Sequence, residues 1–238
     1  SQCRVGCPAL SSALSREQYQ TPPVWQRKAP FTAQMATFMQ YFDWQWARGL
    51  DASELPAPRR FLPTVLFLAL GFVGLYAAWV SDRTLFAYLA VLAGTLTVGL
   101  VVYLNFRHGY SLHADLDQVQ REVRERDYFY IATFSYWGCL AGIGLAWLWN
   151  AASRRVRGGL APHLKTAPIL LIALLPLMLN WPWATRSGDY AARDWAYDLL
   201  MSVEPYGVLF TNCDNDTFPL WYLQEVEGVR QDVTVIVG

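Results

Sequence analysis

Two short polar segments hold the residues whose types and spacing could do chemistry. The first is Arg121–Asp127 (REVRERD), which stops where a long apolar run begins at Tyr128. Arg124, Arg126 and Asp127 thus sit at the edge of that run, where a guanidinium can grip a phosphate with two parallel hydrogen bonds. A lipid phosphate headgroup or a phospho-sugar donor is the natural ligand. The same stretch also reads as a solvated helix start, with Glu122 facing Arg126 and Arg121 facing Glu125 at i, i+4, pairs worth only tenths of a kcal/mol. The second segment is Asn212–Thr217 (NCDNDT). Asp214 and Asp216 could coordinate a divalent cation or accept hydrogen bonds from sugar hydroxyls. Turn chemistry competes, with Asp216 or Thr217 capping a helix ahead of Pro219. Cys213 lies beside two carboxylates and makes a poor thiolate, which argues against a nucleophile there. His113 next to Asp115 is too sparse for a metal, and Cys3 and Cys7 have no His/Cys cluster to join, so no metal site is expected.

The elements that position these segments are mainly apolar. Phe61–Val80, Leu85–Phe106, Tyr128–Ala152 and Thr166–Thr185 each lack charge over about the 20 residues a membrane-spanning helix needs. Charged residues make only 16% of the chain, and 11 Trp and 13 Tyr include several near the ends of these runs (Trp79, Tyr103, Trp147, Trp181, Trp183), where amphipathic rings suit the headgroup layer. Net charge is zero, which offers no electrostatic capture of nucleic acid. No signal peptide is visible in Ser1–Leu10, and Cys139 reads as a small apolar residue of the third run. The expected fold is an α-helical integral membrane protein with about four transmembrane helices over 61–185. A polar region precedes them at 1–60, and the start of an extracytoplasmic α/β domain follows at 186–238.

Charge sets the expected topology. The loop between the third and fourth runs carries Arg154, Arg155, Arg157 and Lys165 with no acidic residue, the mark of a cytoplasmic loop. Arg107–Asp127, Ser1–Arg60 and everything after Arg186 then fall on the outer side, although Arg59 and Arg60 argue against that placement for the N-terminal region. Within Thr32–Leu50, Met35, Phe38, Met39, Phe42 and Trp46 mark one face of a helix that either lies in the interface or packs against the spans. Gly138 and Gly142 form a small-xxx-small pair expected to admit a neighbouring helix closely.

After the fourth run, Tyr190–Ser202 has helical periodicity, Gly207–Thr211 is a short buried strand, Phe218–Glu227 a helix and Val233–Val237 a second strand. This βαβ order implies a parallel sheet, and the NCDNDT loop lies at the carboxyl end of its first strand, where ligands bind in open α/β sheets. Two strands do not make an independent sheet, so the chain is expected to be a piece of something longer.

Three stretches carry a family resemblance: QYFDWQWARGL (40–50), REVRERDYFYIATFSYWGCLAGIGLAWLW (121–149) and LFTNCDNDTFPLWYLQEVEGVRQDV (209–233). They resemble a family of large multipass bacterial membrane proteins, formerly of unknown function, related to an animal protein O-mannosyltransferase acting on plexin- and hepatocyte-growth-factor-receptor-type ectodomains. The resemblance runs from about Ser11 to the end and makes the chain look like an internal fragment of a GT-C-like glycosyltransferase. It implies a polyprenyl-phosphate sugar, such as mannose, as donor substrate and a protein Ser or Thr as acceptor, in a bacterial inner membrane, with no other cofactor. It assigns no catalytic residue, because the usual carboxylate lies upstream of this chain. Arg124, Arg126 and Asp127 inherit a donor-headgroup role, and Asp214, Asn215 and Asp216 match a motif of that family. The family has Gly where Cys213 stands, so a different backbone conformation is expected there. A non-catalytic membrane scaffold or accessory subunit is the alternative. A transporter ranks below it, because no ionisable residue lies within the apolar runs.

Overall fold

A computed structural model describes residues 25–156 and 161–237. Cys3, Cys7 and Arg157 lie outside the described residues. The chain divides after Ala184 into two units.

The first unit opens with α1 (Phe31–Ala47), continued by a 3-10 turn at Arg48–Leu50. Four helices long and apolar enough to cross a membrane follow: α2 (Pro58–Ser81), α3 (Arg83–Leu104), the third over Asp127–Arg155 and α5 (Pro162–Ala184). The third begins with a 3-10 turn, Asp127–Tyr130, and continues as α4, Ile131–Arg155. Asp82 divides α2 from α3, its Oδ1 accepting from the Thr84 and Leu85 N–H groups as an N-cap. α3 contains a π turn at Thr95–Gly99, and α5 a 3-10 stretch at Ala167–Leu174. Pro168 and Pro176 flank or enter that stretch and donate no backbone N–H, which weakens the α-helical ladder. Large side chains such as Phe72, Tyr88, Val91, Leu171 and Met178 stand more than half exposed on these helices. Contiguous surface of that kind is costly in water and natural in hydrocarbon, as in a multipass membrane protein.

α2 and α4 form the main seam. A Cβ on Gly74 would sit 2.0 Å from the Leu140 carbonyl oxygen, and one on Gly144 2.2 Å from that of Leu70. Backbones this close exclude any side chain at either position. The expected pair, Gly138 and Gly142, does not make this contact: a Cβ at either would meet nothing within 4 Å. Polar bonds add to the packing, with Trp137 Nε1 donating to the Phe67 carbonyl (3.0 Å), Thr133 Oγ1 to Leu96 and Tyr136 Oη to Leu89 (both 2.6 Å).

α1 packs against the spans rather than presenting its aromatic face outward. Phe38, Phe42 and Trp46 are buried in a cluster with Phe67, Tyr130, Phe134 and Trp137, and the Trp46 and Phe67 rings stack at 4.6 Å. Met39 alone of the predicted face is exposed. The polar residues of α1 fasten the ends of the spans. Gln34 donates to Asn105, a buried left-handed residue (φ 48°) that closes α3. Gln40 donates to Ser111 (2.7 Å), and Asp43 accepts from Arg60 at the start of α2. At the other end of α1, Asn180 of α5 accepts from the Arg48 N–H (2.6 Å) and donates to the Gln45 carbonyl (2.7 Å). These bonds gather 31–60, 105–127 and the end of α5 on one side of the helical bundle.

Arg60 is completely buried. Its Nε donates to Asp43 (2.7 Å), its other nitrogens to the Ser53 (2.8 Å), Leu55 (2.6 Å) and Asp51 carbonyls, while Thr64 Oγ1 donates to the second Asp43 oxygen. A charge neutralised in this way is a structural clamp. It carries little weight as a marker of membrane orientation.

The second unit contains α6 (Ala191–Met201), β1 (Val208–Thr211), α7 (Asp214–Glu225) and β2 (Thr234–Val237). The strands are parallel, Val208 opposite Thr234 and Thr211 opposite Val237. Ala196, Leu200, Leu220, Leu223 and Val233 form its core. Arg230, at φ 50°, donates to the Leu200 (2.8 Å), Val203 (3.0 Å) and Glu204 (3.2 Å) carbonyls at and just past the end of α6, and pairs with Asp232.

Candidate functional site

The segment 105–126 is not helical. It is a loop closed by a parallel bridge between His108 and Arg121, with the His108 N–H donating to Gln120 and that of Glu122 to His108. One of the two predicted i, i+4 pairs forms: Arg126 Nε donates to Glu122 (3.1 Å). Arg121 instead donates to the Tyr110 carbonyl and lies over the Tyr110 ring. Its predicted partner Glu125 accepts from Tyr41 Oη (2.7 Å) and the Ser111 N–H (3.1 Å). Burial pushes the Tyr41 phenol well above its ordinary value, outweighing the Arg126 N–H that donates to it. Tyr41 therefore stays neutral and keeps its proton for Glu125. His113 is half-buried, edge-on against His108.

This loop separates the predicted site residues by availability. Arg126 is partly covered, tied to Glu122 and packed over Phe106 at 5.8 Å. Arg124 is exposed, and its guanidinium donates to the hydroxyl of Tyr128 at 3.3 Å. Of the two, Arg124 keeps its hydrogen-bonding edge open to a phosphate. Asp127 is half-buried at the first residue of the third span.

Asp214, Asn215 and Asp216 belong to the second unit and are considered apart from these. They do not form a turn ahead of a helix at 218. They are the first turn of α7 itself, which begins at Asp214 directly after β1. Among the described residues no side chain caps it. Two carboxylates in a first turn favour the helix through its dipole. Thr217, buried, donates to the Cys213 carbonyl (2.9 Å) and shares a hydrogen bond with Thr211 Oγ1 (2.7 Å), which ties the helix start to the strand end. Cys213 is extended (φ −158°, ψ 173°), so the Gly-to-Cys difference demands no left-handed backbone. Among the described residues, no three or more His, Cys, Asp and Glu side chains gather as a metal site would require.

Sequence reasoning missed Arg48. Its guanidinium carbon lies 3.8 Å from the centre of the Trp44 ring and 4.5 Å from that of Trp183, one tryptophan on α1 and one on α5. It makes no ion pair among the described residues, and its Nε is buried without an acceptor. Burial lowers its pKa, but an arginine keeps its charge. The Trp44–Arg48 spacing of one helical turn was legible; the second ring, far along the chain, was not.

The family model described as TMEM260-associated domain 2 matches residues 192–238, the span from α6 to the end of the chain. The match is consistent with a TMEM260-like family, related to O-mannosyltransferases, and so with the motif resemblance. No curated protein and no solved structure matches the chain.

Proposed function

We propose that this chain is part of a GT-C-like membrane glycosyltransferase that moves a sugar, mannose in the first instance, from a polyprenyl-phosphate donor to Ser or Thr hydroxyls of a protein outside the cytoplasm. In this reading it resides in a bacterial inner membrane with its second unit on the outer side. The family-model match and the three motifs support the class. The observation that carries the donor assignment is Arg124, an exposed guanidinium three residues ahead of a membrane-spanning helix. A phosphate diester at the membrane surface suits it. Arg126, tied to Glu122 and Tyr41, holds the loop beside it, Asp127 remains a candidate donor contact, and Asp214, Asn215 and Asp216 remain candidates for acceptor or sugar contacts.

The test is transfer of labelled mannose from polyprenyl-phosphate mannose by the full-length protein in vesicles. Arg124→Ala lowers transfer by about tenfold or more, the worth of a charge-assisted hydrogen bond lost to the donor. Arg126→Ala lowers it less. Unchanged transfer in both would remove these residues from the mechanism.

One observation favours the alternative, a non-catalytic scaffold: Val208, Phe210 and Ile236 leave an apolar face of the small sheet exposed. A stoichiometric partner lost on Phe210→Asp, with no sugar transfer by the intact protein, would support it.

A further inference from the structure

We infer that Arg48, Trp44, Trp183 and the groove beneath them form a binding site for a membrane lipid with a singly charged phosphodiester head. This inference rests on the membrane placement of the first unit and not on sugar transfer.

Three independent features converge. The first is Arg48 itself. Its guanidinium carbon lies over two indole rings, 3.8 Å from the centre of Trp44 and 4.5 Å from that of Trp183. Aromatic rings hold the cation without using its N–H donors as a carboxylate would, and so leave donors for an anion. Among the described residues no carboxylate pairs with it, although Asp127, Glu54 and Glu125 act on its charge, as does Arg60 with the opposite sign. Three carboxylates against these two arginines leave no net positive charge there, so a singly charged phosphodiester suits the site better than a doubly charged phosphomonoester. The position is fixed: Asn180 binds the backbone on both sides of Ala47, and Gly49 lies so close to α5 that a Cβ there would fall 2.0 Å from the Leu179 carbonyl oxygen.

The second feature is an apolar groove of about 250 Å³, lined among others by Trp46, Gly138, Ala141, Gly142, Ala173 and Pro176. Pro176, Asn180 and Trp183 lie at i, i+4 and i+7 on one face of α5, and Asn180 binds the Arg48 backbone, so the groove lies about two turns of that helix from the guanidinium, within reach of the acyl or prenyl chain of a lipid held by its phosphate. Gly138 and Gly142 keep it open, since a Cβ on either projects into free space. Protein packing does not require glycine at these positions.

The third is Trp46. It is 95% buried, lines the groove, and its indole N–H has no acceptor among the described residues. A buried N–H of this kind normally finds a partner, and the ester or phosphate oxygens of a lipid supply one.

Native mass spectrometry of the full chain, delipidated in neutral detergent and titrated with phosphatidylglycerol, diacylglycerol or polyprenyl-phosphate mannose, tests the site. Phosphatidylglycerol is expected to bind at least about tenfold more tightly than diacylglycerol, the worth of one hydrogen bond to a charged group. Arg48→Gln removes that preference, and Trp46→Phe weakens phosphatidylglycerol several-fold. Gly142→Leu, which fills the groove without striking backbone, weakens all three lipids while the melting temperature stays within a degree or two. Tighter binding of the polyprenyl lipid than of phosphatidylglycerol would support the site and name it as the donor's. Equal binding of phosphatidylglycerol and diacylglycerol, or an unaltered preference in Arg48→Gln, would overturn it. Full displacement of phosphatidylglycerol by millimolar inorganic phosphate would overturn the lipid in favour of a free anion, whereas a lipid that stays bound supports it.

Discussion

Arg60 in the first unit and Arg230 in the second perform the same task in different surroundings. Each pairs with an aspartate and gathers three backbone carbonyls from a neighbouring loop or helix end. Arg60 does so with no exposed surface, against the aromatic core under α1. Arg230 does so at the edge of a small α/β unit, with part of its side chain in contact with water. The difference lies in what happens when a partner is lost. Water can take up the orphaned groups around Arg230; nothing replaces the donors around Arg60. The number of bonds is therefore a poor guide to how much either clamp stabilises its unit, and desolvation is the better one.

The largest expected effect sharpens this contrast. Asp43→Asn or Arg60→Met leaves a buried charge or three carbonyls unpaired and should cost about 3–5 kcal/mol, read from denaturant or thermal unfolding in detergent. The double variant recovers only part of this, because the Asp51, Ser53 and Leu55 carbonyls still lack donors. A full recovery would show that the carbonyl bonds contribute little.

The glycine seam comes next. Gly144→Ala forces α2 and α4 apart and should cost about 1–3 kcal/mol, while Gly142→Ala stays within about 0.5 kcal/mol. Equal losses would mean the two glycines share one role, contrary to their surroundings.

The third prediction concerns pH. Arg230 and the Tyr206 N–H hold Asp232 well below the usual carboxylate range. Its folded pKa lies below its unfolded one, about 3.9. Its stabilising contribution is therefore fully present above that value and disappears as pH falls through the folded pKa. Asp232→Asn should flatten the acid limb of the stability profile of the second unit and lower its stability by a constant amount at neutral pH. The smallest effect belongs to the exposed Arg186–Asp189 pair, whose loss in Arg186→Ala should change stability by less than about 0.5 kcal/mol.

The spans were legible because the absence of charge over a bilayer's width is a one-dimensional signal. Phe61–Val80 and Leu85–Phe106 lie within a few residues of α2 and α3. The start of α7 was not, because Asn and Asp read as turn formers when their carboxylates here serve a helix's first turn. The Gly138–Gly142 pattern misled for a related reason: spacing shows that two glycines share a helix face, but not which face meets a neighbour. Arg124 stood out by its place beside an apolar run. Arg48 did not, since its surroundings come from α1 and α5, which only folding brings together. Arg60 looked like a topological charge at the membrane edge, and burial gives it another purpose.

The 3-10 stretch of α5 has a consequence for reach. Eight residues at about 2.0 Å each extend roughly 4 Å further than the same residues in an α-helix. Lys165 before the stretch and Trp181 and Trp183 after it are held that much farther apart, so α5 matches a thicker hydrocarbon layer than its residue count implies. In a thin bilayer the helix must lean to keep both anchors among the headgroups, and its lean would be passed to α1 through Asn180.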